Sequence, residues 1–311
     1  MDYNLELAEK LPAQVLFGTS SWTYPGWKGS VYSRDYKSEK AFKAGSLEEY
    51  CQFPWFRTVG IDSSFYGPLK EKTLANYSKQ VPNNFKWVSK VWERITIPVF
   101  PKHARYGSAA GKTNPDFLSS ALFNREVLGP YKDNPSFKKH CGPMVFQFQN
   151  ITGEMSSKSD IFFDKLDRFL SKIDPSFNYA TEIRNKNFLV ADYFSILNKN
   201  SATHCFNHWS YMPPLIDQMK AAAMAGGLRA PFFVARILTP LGLNYGEAVG
   251  KFQPYDNIKL KNQSMREDVV RLAKRAIEKK SKAYIIVNNR SEGHSPGTIS
   301  EIGSDLVTNQ A

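Results

Sequence analysis

The 311-residue chain is 42% hydrophobic and 14% aromatic, enough apolar material for a large core, which excludes a wholly disordered chain. Its formal net charge of +12 suits anionic partners such as phosphate esters, nucleic acid or acidic lipid, although the lysines are scattered rather than gathered in one block. No apolar run approaches the ~20 residues that cross a bilayer, and the opening MDYNLELAEK lacks the charged-then-apolar layout of a signal peptide, so the expectation is a cytoplasmic protein without membrane contact.

Eight β-like runs follow in chain order, at 15–20, 58–63, 86–91, 143–149, 179–184, 202–208, 231–237 and 283–289. Most are apolar-dominated rather than strictly alternating, as in strands covered on both faces of a parallel sheet. Helical patterns fall between them at 47–56, 71–80, 161–173, 191–198, 216–225 and 264–280. The first of these opens with Ser46 followed three residues later by Glu49, a capping-box pattern. Ile161, Phe162, Leu166, Phe169, Leu170 and Ile173 form one apolar helical stripe. Strand and helix thus alternate about eight times, the rhythm of a single (β/α)8 TIM-type barrel. A doubly wound open sheet is the runner-up, but no Gly-x-Gly-x-x-Gly turn follows the first strand. The Gly-, Ser- and Asn-rich stretch at 106–115, with 131–137, predicts a loop and helix insertion between strands three and four. The expected layout is an N-terminal extension at 1–14, the barrel at 15–303 and a tail at 304–311.

Barrel active sites lie at the C-terminal ends of the strands, so the polar strand ends are the candidates. In chain order they are Trp22 and Tyr24 after strand one, then Asp62, Ser64 and Tyr66 after strand two. Lys90 ends strand three, Gln147 strand four, Glu182 and Arg184 strand five, Arg236 strand seven, and Asn288 and Asn289 strand eight, with His294 just beyond. Glu182 and Arg184 sit two apart and share one side of their strand, either as an inward pair bridging the barrel or as ligand-facing groups. Lys90 reads as a phosphate clamp or as a lysine reaching for the rim. Trp22 and Tyr24 stack on a ligand or pack under a loop. No metal is expected. His204 and His208 would stand ~13 Å apart on a strand, no H-E-x-x-H occurs, and Cys51, Cys141 and Cys205 include no C-x-x-C pair. No cofactor is expected either, and no G-x-S-x-G elbow supports a serine triad.

Six segments carry a family likeness: GTSSWTYPGWKG at 18–29, IDSSFYGP at 61–68, FKWVSKV at 85–91, GPMVFQFQ at 142–149, TEIR at 181–184 and VNNRSEGHSP at 287–296. In this order they resemble the YecE-like family, domain of unknown function 72, across nearly the whole chain. The resemblance implies one TIM barrel with a polar pocket at the strand C-termini, but no established reaction. By motif it carries over Trp22, Tyr24, Ser64, Tyr66, Lys90, Gln147, Glu182, Arg184, Asn288 and Asn289 as pocket candidates. Three departures mark this chain as a divergent member. Gly60 stands where the family has a strand-two glutamate, Leu238 and Thr239 replace a strand-seven His-Gly, and Phe148, Gln149 and Asn150 replace Leu-Pro-Pro after Gln147.

Three functions compete. The first is hydrolase-like chemistry on a small phosphorylated or nucleotide-like substrate, with Lys90, Arg184 and Arg236 on anionic oxygens and Glu182 or Asp62 as general base. The second is a non-catalytic binder of nucleic acid or another polyanion. The third is carbohydrate processing with Asp62 and Glu182 as the carboxylate pair. Oligomeric state is not legible in the sequence.

Overall fold

The computed structural model describes residues 3–309. Eight strands, β1 (Val15–Thr19), β2 (Thr58–Ile61), β3 (Lys86–Lys90), β4 (Cys141–Gln147), β5 (Tyr179–Glu182), β6 (Thr203–His208), β7 (Phe232–Ile237) and β8 (Lys282–Val287), pair in parallel in the order β1-β8-β7-β6-β5-β4-β3-β2. With the intervening helices this is the expected (β/α)8 barrel. Several strands stop short of the predicted runs because their polar tips turn away. After β2 the residues Asp62–Phe65 form a 3-10 turn, and after β8 Asn289–Ser291 do the same.

Side-chain alternation sorts the core into two parts. Val88, Val145, Ala180, Cys205, Val234, Tyr284 and Ile286 meet inside the barrel. Their strand neighbours Phe17, Val59, Trp87, Phe146, Tyr179, Phe206, Ala235 and Ile285 face outward into the larger core beneath the helices. Those helices include Glu71–Gln80, Ser159–Leu170, Ala191–Lys199, Leu215–Met224 and Gln263–Glu278. The closing helix Ser295–Thr308 runs through the 303/304 boundary expected from the sequence. Between β3 and β4 the predicted loop and helix insertion is a chain of short helices and turns, from Glu93–Thr96 to Pro135–Lys138. Its Phe123 ring packs on Phe146 and Tyr179. No helix among the described residues is long and apolar enough to cross a membrane.

The seam between β1 and β2 is closed by a backbone bond, from the Arg57 N–H to the Phe17 carbonyl at 2.8 Å, and by a side chain. The Tyr50 hydroxyl accepts from the Thr19 N–H at 2.8 Å and donates to the Thr58 carbonyl at 3.0 Å, taking the place of a ladder hydrogen bond. Gly18 makes this approach possible, since a Cβ there would stand 2.1 Å from the Thr58 carbonyl oxygen. Tyr50 ends the short helix Leu47–Tyr50, and here the sequence reading needs correction. The expected helix at 47–56 with a capping box at Ser46 and Glu49 is not formed. A helix over Glu39–Gly45, capped by Ser38, runs straight into Leu47–Tyr50, so Ser46 has no free helix start to cap. Glu49 turns instead to Ser33, Arg34 and Tyr36, accepting from the Ser33 and Arg34 N–H groups at 2.8 and 3.1 Å.

Removing the bridging hydroxyl should leave two buried backbone groups unpaired. Tyr50→Phe is therefore expected to cost about 1–3 kcal/mol in urea unfolding, and Gly18→Ala more. A Tyr50→Phe protein as stable as the parent would contradict the seam.

Candidate functional site

On β7 the alternate residues Phe232, Val234 and Arg236 point into the barrel, and at its C-terminal end the apolar lining gives way to a guanidinium. Arg236 is 3% exposed. Its Nη1 donates to Gln147 Oε1 at 2.8 Å and to Glu182 Oε2, and its Nη2 to Asp62 Oδ1 at 3.1 Å. Those partners sit on β4, on β5 and just past β2, none of them a neighbour of β7 in the sheet. The bonds therefore cross the lumen and close it. The other Glu182 oxygen accepts from Nε and Nη2 of Arg184 at 3.2 and 2.9 Å, and the Arg184 guanidinium lies 3.8 Å from the Trp209 ring centroid.

The electrostatics follow from these contacts. Burial opposes ionisation of Glu182, but Arg236, Arg184 and Lys90 together outweigh it and hold the carboxyl at about 2. Burial likewise works against Arg236, yet Glu182 and Asp62 raise it, so it stays charged. Lys90 is different. Among the described residues its amine forms no salt bridge, and it rests 3.9 Å from the Phe65 ring centroid. Burial pushes it down to about 8, and Asp62 is the charge that acts on it most strongly in the other direction. The cavity beside it, lined by Ser64, Pro68, Trp92 and Tyr131, is only about 10 Å³, room for one water. The Asp62 side chain is 35% exposed, and its Oδ2 meets no donor among the described residues.

The barrel thus brings together Asp62, Lys90, Gln147, Glu182, Arg184 and Arg236. Several candidate side chains are committed within the fold. Glu182, expected as a general base, has both oxygens occupied by guanidiniums and serves as an anchor. Ser64 lies with its hydroxyl 2.5 and 2.6 Å from the Ile61 and Lys90 carbonyls and ties the β2 turn to β3. Trp22 is buried edge-on to Tyr77 at 5.0 Å, and Tyr24 packs on Trp27 at 5.0 Å, so both support a loop. At the end of β8, Asn288 Oδ1 accepts from the Arg290 N–H, Asn289 Oδ1 from the Ser295 N–H, and His294 Nδ1 from the Gly297 N–H. These three side chains build the turn and cap the closing helix. Tyr66 stands on the rim, 65% exposed. His204, weighed as a ligand, is bonded to Tyr193 and Gln218.

Sequence reasoning missed three contributors to the mouth. Trp209 directly follows the β6 tip, a position that could have marked it. Glu93 and Arg105 lie in the insertion, where no pattern points to them. Gly60 is tightly packed: a Cβ there would stand 3.1 Å from the backbone of Thr19 and Ser20 at the end of β1.

Fold and site together define a (β/α)8 barrel whose C-terminal mouth is closed by a carboxylate–guanidinium network with one amine to spare. The sequence profile described as "Protein of unknown function DUF72" matches residues 16–311, and the chain belongs to that family. Solved structures agree in fold. A DUF72 family protein from Enterococcus faecalis V583 superposes with a TM-score of 0.58 at 14% identity, covering 96% of this chain and 98% of that one. One from Thermotoga maritima MSB8 gives 0.55 at 15% identity, covering 94% and 99%. No curated protein matches the sequence.

Removing the anchor should leave two buried guanidiniums short of a counter-charge. Glu182→Gln is expected to cost about 3–5 kcal/mol at pH 7. The folded carboxyl sits at about 2, below its ordinary 4.5, so its stabilising contribution is present above pH 4.5 and fades as pH falls from there towards 2. The gap between parent and variant in denaturant melts should shrink over that window. A gap that is absent at pH 7, or that grows in acid, would refute the anchoring role.

Proposed function

We propose that the barrel mouth binds a small phosphorylated molecule and hydrolyses its phosphoester. The observation that carries this reading is the unpaired Lys90 amine. Of the three cations around Glu182, Arg184 and Arg236 are committed to carboxylates, and the Lys90 amine is left to receive an anion. Three cations against two carboxylates also leave the cluster net positive. The free Oδ2 of Asp62 is the proton acceptor for an attacking water. As the water oxygen bonds to phosphorus, the phosphorus–oxygen ester bond breaks, and the leaving oxygen takes a proton from the Lys90 ammonium, which an amine near 8 gives up readily at neutral pH. Proton transfer from Asp62 to Lys90 resets the site. Glycosidic chemistry fits less well, because its acid needs a raised carboxyl pKa and Glu182 is held low.

Calorimetry with methyl phosphate, dianionic from pH 7.5 upward, tests the binding half. Lys90→Met should weaken binding about 10–100-fold, the loss of one charged hydrogen bond. Parent affinity should fall roughly tenfold per pH unit above about 8, where the free amine loses its proton, and Lys90→Arg should remove that fall. Turnover on a panel of phosphoesters tests the other half, with Asp62→Asn expected to lower kcat about 100-fold or more and to spare KM. Binding that ignores Lys90 would overturn the reading; binding without any turnover would reduce it to a receptor site.

A further inference from the structure

The proposed phosphate site stands beside an aromatic platform for which the site described so far has no use. Phe65 touches the Lys90 amine and meets Tyr66 edge-on at 5.5 Å between centroids. Tyr66 leaves 65% of its surface in solvent. Single exposed aromatics are ordinary on a protein surface, and Tyr211 is more exposed still; what sets Tyr66 apart is its neighbours. Tyr66 is also held in place. The Arg105 guanidinium lies 5.1 Å from its ring centroid and 4.7 Å from that of Tyr106. Arg105 is fixed in turn by Glu93, which is 6% exposed and accepts from Arg105 Nη2 at 2.6 Å and from the Tyr106 hydroxyl at 2.8 Å. A buried carboxylate thus orders a guanidinium, which orders an exposed ring. Glu93, Arg105 and Tyr106 all belong to the insertion between β3 and β4, so the insertion builds one wall of the mouth.

We infer that Tyr66, backed by Arg105, is the subsite for a planar aromatic group of the substrate, which makes the substrate class an aryl or heterocyclic phosphate rather than an aliphatic one. The inference rests on the phosphate reading of Lys90. The Lys90 amine, Phe65 and Tyr66 are contiguous, 3.9 and 5.5 Å apart in turn, so one ligand can meet both the amine and the exposed ring. A guanidinium on one face of Tyr66 polarises the ring and leaves the opposite side to stack on a ligand. Ring stacking of this kind is sequence-tolerant and additive to phosphate binding, so it sets preference among phosphoesters without altering what Lys90 does.

Paired titrations with phenyl phosphate and methyl phosphate separate the two ideas, since both carry the same charged group and only one carries a ring. The parent protein should bind phenyl phosphate about tenfold more tightly, the worth of one stacked ring. Tyr66→Ala should collapse that ratio below threefold, Tyr66→Phe should keep it, and Arg105→Met should reduce it. Lys90→Met should weaken both ligands together. A ratio near one in the parent, or one unchanged in Tyr66→Ala, overturns the ring subsite while leaving the phosphate site standing. Failure of the parent to bind either ligand overturns both.

Discussion

The mouth of the barrel depends on one guanidinium. Arg236 is buried, charged, and reaches across the lumen to β2, β4 and β5 at once. A charge removed from water must be paired and hydrogen-bonded or it destabilises the fold by several kcal/mol. That requirement dictates its surroundings. It keeps Glu182 ionised without solvent, turns the Gln147 carbonyl inward and takes one oxygen of Asp62. Glu182 in turn fixes Arg184, whose plane settles on Trp209. What the network does not use is as informative as what it does: one Asp62 oxygen and the Lys90 amine stay uncommitted.

Those two leftovers stand on adjacent strands, at the ends of β2 and β3, on the same side of the mouth as the insertion. The proposed anion site and the insertion thereby lie on the same side of the rim, while the β8 side carries the turn that starts the closing helix. Two backbone N–H groups of that helix start are taken by Asn289 and His294, while Asn289 Nδ2 has no partner among the described residues.

Much of the fold was legible because burial on both faces writes the strands as apolar runs, and their polar ends stand out. Lys90, Gln147, Glu182, Arg184 and Arg236 were found that way. The roles were harder to read than the positions. Asn288, Asn289 and His294 look like ligand groups in sequence, yet backbone donors at a helix start claim their acceptors first. Glu182 looks like a base until two arginines from different strands are seen on its oxygens, a pairing that no spacing encodes. Ser46 and Glu49 match a capping box by spacing, but the preceding helix leaves nothing to cap. Tyr50 at the seam and Arg105 on Tyr66 depend on contacts between distant segments, so the sequence carried no local mark of either.

The most direct test of this account is the titration of the Lys90 amine itself, followed by 13C NMR of the reductively methylated protein, with Lys90→Arg assigning the signal. The account predicts a midpoint near 8 that moves upward when methyl phosphate is added, as an ammonium gains an anionic partner. A midpoint near the ordinary lysine value of about 10.4, unmoved by phosphate, would mean that Lys90 lies in solvent and that the mouth has no spare cation to offer.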